Sequence, residues 1–349
     1  MDKTNKQQAF APSIAIIILN WNGYTDTIAC LESLAHCNYP NFEIILVDNA
    51  SVDNSITIIK EHITEYNCHA TAKKFKITES NQTHASTPEF IPLTFIENDE
   101  NYGFAKGNNI GIAHAKKHQP NYMLLLNNDT TVDPDFLIEL VNFFHQNPEY
   151  TVATPQIRYY DKPERIWNCG GKLTRLGGRK YFFDDKHYSE LPDTEFIHIS
   201  FVTGCALVVK SEEFEQHGVL SEAFFFGEED YEFSMRMKKN NSKAACVLPS
   251  LIYHKVNSSI SKASDSAIGK IYIHYLNRFI DMRTYMNAFY WHLWRLAYLI
   301  YIFVLLRGKQ KIKCRTIMRF NKSLLNNSKT RNGVDKQTFE MYINHNFES

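Results

Sequence analysis

The chain has 349 residues, 44% of them hydrophobic and 22% charged, an ordinary globular composition that excludes general disorder. Its 38 Lys and Arg balance 38 Asp and Glu, and a net charge of zero argues against a simple nucleic-acid binder. The balance hides an asymmetry, because residues 282–334 hold eleven Lys/Arg and no acid, so the remainder carries a net charge of about −11. A basic tail on an acidic body points to phosphate or to an anionic membrane surface.

At roughly 150 residues per domain, the length accommodates one large domain with an appendage or two modest domains. Residues 1–12 are polar and lack the apolar segment of a signal peptide. The seven cysteines are scattered, odd in number and form no C-x-x-C pair, which suits reduced thiols in a cytoplasmic protein.

In chain order, Ile14–Leu19 is a continuous apolar run, as expected of a strand buried on both faces. A helical pattern follows (Ile28, Leu31, Leu34, Ala35), then a strand over Phe42–Val47 and a helix marked by Ile56, Ile59 and Ile63. The polar stretch 65–89 reads as a loop or excursion. Ile91–Ile96 is the next strand, Phe104–His118 a helix and Tyr122–Leu126 a strand, and a further helix is expected to begin at the Asp133-Pro134 cap. Alternation of this kind predicts an α/β fold with a mostly parallel sheet flanked by helices. Beyond residue 150 the pattern is less regular. A strand is expected over Phe201–Val209, a short helix capped by Ser211, a helix through Arg236 and Lys239, and short strands at Ala244–Leu248 and Leu251–His254. From Ile268 onward the pattern is helical, aromatic-rich and basic, so 265–349 forms a helical C-terminal region.

Ligands of open parallel sheets bind outside the carboxyl ends of the strands. Here those ends read Asn20-Trp-Asn22, Asp48-Asn49, Glu97-Asn98 and Asn127-Asn-Asp129. One such ending is ordinary turn chemistry; four on one edge predict a polar ligand. No G-x-G-x-x-G follows the first strand and there is no Walker A motif, which argues against a dinucleotide oxidoreductase or a P-loop NTPase. Gly103, Gly107 and Gly111, spaced by four, either bring backbone close to the ligand or pack a helix on the sheet.

Taken together, Leu19-Asn-Trp-Asn22, Val47-Asp-Asn-Ala-Ser51, the stretch Asn101–Asn109, Leu126-Asn-Asn-Asp129, Thr203-Gly204 and Gly227-Glu-Glu-Asp230 followed by Arg236 resemble glycosyltransferase family 2, and most of all its bacterial rhamnosyltransferase-like members, over about residues 12–258. The resemblance implies a GT-A-type, Rossmann-like fold, a nucleotide-sugar donor such as dTDP-rhamnose or a UDP-sugar, a divalent metal (Mg²⁺ or Mn²⁺) and inversion at the anomeric carbon. It makes residues 1–150 the nucleotide-sugar-binding half and 151–258 the acceptor and catalytic half. It further implies that Asp48 recognises the base, Asn20 and Asn22 line the nucleoside pocket, and Asn101 and Gly107 lie along the diphosphate. Asn127 and Asn128 join that set. Asp129 would be the metal carboxylate, with His254 of Ile252-Tyr-His-Lys255 as a second metal contact. Asn127 stands where the family's Asp-x-Asp site has its first Asp, leaving a single anionic ligand. Asp230 would be the general base that takes the acceptor hydroxyl proton; locally, acids in a first helical turn also favour the helix dipole, and Glu232 and Arg236 form an i,i+4 pair. Trp167, Gly204 and Glu229 fall on the acceptor side, Trp167 either stacking on an acceptor sugar or filling core. Two other classes fit the strand-end pattern: a non-catalytic nucleotide-sugar or glycan-binding module, and a nucleotidyltransferase.

Residues 288–306 read AFYWHLWRLAYLIYIFVLL and a basic stretch follows. The uninterrupted apolar run, Leu296–Leu306, makes about 16 Å of helix, roughly half a bilayer core. Three expectations remain: a helix lying in the interface of an anionic membrane through 288–331, a helix covering the catalytic domain, or a true membrane span. The first suits a peripheral protein at the inner face of the cell membrane with a lipid-linked glycan acceptor, in surface-polysaccharide biosynthesis.

Overall fold

The computed structural model describes residues 11–78, 87, 89–174, 176–256, 266–308 and 311–347. Three apolar runs form the centre of one sheet: β1 (Ile14–Asn20), β2 (Phe42–Asp48) and β5 (Tyr122–Asn127). Ile16, Ile44 and Leu124 point into one apolar layer and Ile17, Ile45 and Leu125 into the other. Burial on both faces explains why these strands read as unbroken apolar runs rather than as an alternation. Each fully buried Ile or Leu contributes about 1.5–3 kcal/mol of transfer free energy.

Helices α1 (Tyr24–Ala35), α2 (Ser55–His69) and α4 (Phe136–Gln146) cover one face, and α3 (Gly103–Ala115), α5 (Ser211–His217) and α6 (Glu229–Asn240) the other. The remaining strands are β3 (Lys74–Thr78), β4 (Phe90–Glu97), β6 (Thr130–Val132), β7 (Tyr150–Tyr159), β8 (Ile166–Asn168), β11 (Phe196–Ile199), β12 (Ala206–Lys210) and β13 (Lys243–His254). The spatial order is β11-β13-β7-β12-β5-β1-β2-β4-β3, with β6 on β13 and β8 on β7. From β5 to β3 all neighbours are parallel. β12 runs antiparallel to both β5 and β7, making the sheet mixed. A separate two-stranded ladder joins β9 (Gly171–Leu173) and β10 (Arg179–Tyr181). The register matters for function: Asn20 lies opposite Asp48, Leu19 opposite Asn127, and Asp48 opposite Glu97, so the four polar strand ends share one edge.

Several expectations are corrected. The stretch 65–89 is not simply a loop: α2 runs on to His69, and β3 adds a parallel edge strand to β4. Residues 79–86 and 88 of that stretch, like the first ten residues of the chain, lie outside the described residues. The helix after β6 begins at Phe136 with Asp135 at its cap, while Asp133 Oδ1 accepts from Asp135 N in the preceding turn. The strand expected from Phe201 begins at Ala206, because Thr203–Cys205 is a turn. Ser211 is the first residue of α5, not its cap, and its hydroxyl donates to Pro120 O. The two short strands near 250 are one strand, β13, whose register slips between Val247 and Leu251.

The C-terminal region comprises α7 (Ala267–Tyr285), α8 (Ala288–Gly308), α9 (Cys314–Thr330) and α10 (Lys336–Ile343). These helices share one apolar cluster with Phe201, Phe224 and Tyr231. The chain is stitched to itself here as well: Phe225 N donates to Val334 O at 2.7 Å and Val334 N to Ala223 O at 2.8 Å.

Candidate active site

At the shared strand edge, Asn20 is fully buried. Its Nδ2 donates to Asp48 Oδ1 at 2.7 Å and to Ser51 Oγ at 3.1 Å, and its Oδ1 accepts from Thr27 Oγ1 at 2.9 Å. Asp48 also accepts from the Ser51 hydroxyl and backbone N–H, at 2.7 and 2.9 Å. A carboxylate offers about four lone-pair sites, so Asp48 retains capacity for a ligand N–H. Asn22 sits in the left-handed region (φ 51°), where its Oδ1 accepts from Val52 N at 2.8 Å and ties the first strand end to the second. Asn128 Nδ2 donates to Thr27 Oγ1 at 2.9 Å. Asn127 is paired through its backbone, its N–H donating to Cys205 O at 2.9 Å and its carbonyl accepting from Thr130 Oγ1 at 2.7 Å.

Asn101 joins this edge through Asn49, the residue that follows the second strand. Buried Asn49 donates to Asn101 Oδ1 at 2.8 Å and accepts from Asn98 Nδ2 and Tyr102 N, both at 3.1 Å. Gly103 follows at φ +80°, and a Cβ there would stand 2.1 Å from Phe225 O, so only glycine fits. Gly107 packs on the first strand. A Cβ there would meet the Leu19 side chain at 2.6 Å, so this glycine serves the close packing of α3 on β1. Lys106, exposed, holds its ammonium 3.6 Å from the centre of the Tyr102 ring.

Asp129 and His254 come together from β-strand ends 125 residues apart in the chain. His254 Nε2 lies 3.1 Å from Asp129 Oδ1, and both side chains are 8% exposed. Burial works against the charged ring, but Cys205 and the Asp129 carboxylate outweigh it and push its pKa up to about 10. Trp167 packs edge-on against the His254 ring, centroids 4.3 Å apart, so it supports the pair from the core side. Among the described residues no group of three or more His, Cys, Asp or Glu is placed to hold a metal. With the His254 proton displaced, one carboxylate and one imidazole nevertheless fit a Mg²⁺ or Mn²⁺ ion that draws its other ligands from phosphate and water.

Asp230, in the first turn of α6, pairs with Arg179 of β10 at 3.2 Å. Gly204 lies against it, a Cβ there falling 3.9 Å from the Asp230 Cβ. Glu229 is spent locally: its Oε2 accepts from the N–H groups of Gly227 and Glu228 at 2.8 and 3.0 Å, and burial raises its pKa to about 7. Glu228 is fully buried against Arg278 of α7. Arg236 pairs with Glu232 at 3.0 Å and donates to the carbonyls of His217, Gly218 and Val219, holding α5 on α6. Arg179 and Arg278 were not legible as site residues, because neither stands in a motif.

The two acidic centres meet at one turn. Gly204 faces Asp230 across a gap that a Cβ would close to 3.9 Å, while the neighbouring Cys205 lies in contact with His254 and close to Asp129. The sequence model of Glycosyl transferase family 2 matches residues 15–218, more than half of the chain. The chain belongs to glycosyltransferase family 2. It has a GT-A-type fold. It is 24% identical over 199 residues to the low-salt glycan biosynthesis hexosyltransferase Agl10 of Haloferax volcanii, covering 54% of this chain and 59% of that relative. It therefore spans about three-fifths of the relative's length. In fold, this family 2 chain is similar to S. aureus TarS solved with UDP-GlcNAc, with a TM-score of 0.54 and 12% identity over 90% of this chain and 80% of the other. It is likewise similar to GalNAc-T7 solved with UDP, GalNAc and Mn²⁺, with a TM-score of 0.54 and 15% identity over 78% and 51% of the two chains.

Proposed function

We propose that this glycosyltransferase is an inverting, divalent-metal enzyme that moves a sugar from a nucleoside-diphosphate donor, dTDP-rhamnose or a UDP-sugar, to a glycan or lipid-linked acceptor in bacterial surface-polysaccharide assembly. The observation that carries the reading is the Thr203–Cys205 turn, with Asp230 against one residue and the Asp129–His254 pair against the next. Single displacement needs a base on one side of the sugar and charge neutralisation on the leaving diphosphate, and the turn brings residues suited to both tasks together.

In this reading Asp48, Asn20 and Asn22 hold the nucleoside, with Asn49 and Asn101 alongside. Asp129 and His254 would hold the metal, which when bound supplies Lewis-acid stabilisation of the departing diphosphate. Asp230 accepts the acceptor hydroxyl proton, and Arg179 fixes where its carboxylate points. The glycan-biosynthesis role of the Haloferax relative and the nucleotides bound by the solved neighbours support the donor and pathway class.

The test is Asp230→Asn. It should abolish sugar transfer while the nucleoside diphosphate still raises the melting temperature. Retained transfer would remove Asp230 from the reaction. Pyrophosphate as the released product would instead make the chain a nucleotidyltransferase.

A further inference from the structure

Helix α8 is apolar on its outside as well as its inside. Its inner face buries Trp291, Trp294, Leu299, Ile302 and Leu306 against the other C-terminal helices. Its outer face carries Phe289, Leu293, Leu296, Ile300 and Val304, a single helical row whose members are 50–69% exposed. A row of this length is a contiguous apolar patch of the kind that marks an interaction surface. By length and composition alone the helix is long and apolar enough to cross a membrane. Spanning is at odds with its packing, because Arg295 on the inner face is buried and donates to Ser328 Oγ at 3.0 Å and Leu325 O at 3.2 Å. One face belongs to protein, and only the other is available to lipid.

Charge selects the occupant. Arg307 at the end of α8 is exposed, as are Lys311 and Lys313 in the connection to α9. On α9, Arg315 and Lys322 flank Met318, which is 60% exposed. No acid occurs from residue 282 to 334. A second copy of the chain would set these cations against one another, whereas an anionic bilayer offers hydrocarbon to the apolar row and phosphate to the cations. We infer that the outer face of α8, with the cations of α9, docks the protein in the interface of an anionic lipid bilayer. The inner face of the docked helix packs on the segment that leads to the proposed catalytic base. Trp294 Nε1 donates to Leu176 O at 2.8 Å, Leu176 is itself 72% exposed, and Arg179, three residues on, pairs with Asp230. Docking therefore brings the acceptor side of the site to the lipid surface, a consequence that rests on the function proposed above, whereas the docking itself does not.

The experiment is vesicle flotation of the full chain with phosphatidylcholine alone and with about one-third phosphatidylglycerol, for wild type, Ile300→Glu/Val304→Glu and Arg315→Glu/Lys322→Glu. The expected result is binding to the anionic vesicles that falls at least about tenfold on neutral vesicles, in high salt and in either variant. These side chains are exposed, so melting temperature and nucleoside-diphosphate binding should be unchanged in both variants. If the apolar double variant unfolds, the charge-reversal pair decides. Absence of vesicle binding, equal binding to neutral vesicles, or binding unaltered in a folded variant would overturn the inference. So would a wild-type dimer in solution that Ile300→Glu/Val304→Glu converts to monomer while vesicle binding is missing. Loss of transferase activity with vesicle binding intact would count against the proposed function alone.

Discussion

The Arg278 guanidinium on α7 and the Glu228 carboxylate at the mouth of α6 form a buried ion pair, 3% and 0% exposed, between the C-terminal helices and the acidic turn of the site. Arg278 also donates to Gly177 O at 2.6 Å and stacks 3.2 Å over the Tyr231 ring. Burial still raises Glu228 to a pKa of about 7 against the pull of Arg278. Removing one partner of such a pair leaves an uncompensated buried charge. Arg278→Met should therefore lower unfolding stability by about 3–5 kcal/mol, read from urea midpoints. A loss below about 1 kcal/mol would show that the pair does not secure the turn.

Arg179 is the partner of Asp230, and its role in this account is positioning. Arg179→Ala should lower kcat by about 10–100-fold with little change in donor KM, as expected when a base loses its orientation and donor binding is untouched. Arg179→Lys should recover part of the loss. An equal rise in KM with kcat intact would place Arg179 in donor binding instead.

The Asn20 amide satisfies Asp48, Ser51 and Thr27 at once. Asn20→Ala leaves those buried groups short of partners, at a cost of about 1–3 kcal/mol. Donor KM should rise roughly tenfold, and more than kcat falls. Steady-state kinetics at saturating acceptor would show it, and an unchanged donor KM would contradict the nucleoside role.

Asp281 on α7 makes stability depend on pH. Burial raises its pKa to about 8, with Glu228 and Glu232 adding to the effect and Arg278 and Arg236 opposing it. An acid whose folded pKa exceeds its unfolded value near ~4 stabilises the fold while protonated, and that contribution is lost as pH rises from ~4 to ~8. Asp281→Asn should accordingly gain on wild type by a few kcal/mol between about pH 5 and about pH 9. Parallel stability curves for the two proteins would refute the assignment.

The central strands and their polar ends were legible because an apolar run that stops at Asn or Asp marks both a buried strand and its exposed edge. The strands missed have physical reasons. Lys74–Thr78 is an edge strand in a polar stretch, with its apolar alternation confined to Phe75 and Ile77. Tyr150–Tyr159 contains Pro155, which ordinarily argues against a central strand; the register slip of β13 falls opposite it. The polar residues Thr154 and Gln156 are buried there through bonds to Ala206 O and Leu248 O, both at 2.8 Å. At the site, Asp129, Asp230 and His254 stand in recognisable motifs. Arg179 lies on a three-residue strand after two glycines, and Arg278 lies fifty residues beyond Glu228, so only the folded chain brings them in.

The most direct test of the account is the release of nucleoside diphosphate from a panel of nucleotide sugars, with Mg²⁺ or Mn²⁺ and with a chelator, for wild type and Asp129→Ala. The account predicts metal-dependent release from one donor, abolished by the chelator and reduced at least about 100-fold in Asp129→Ala. Release that persists without metal, or that Asp129→Ala leaves intact, would contradict it.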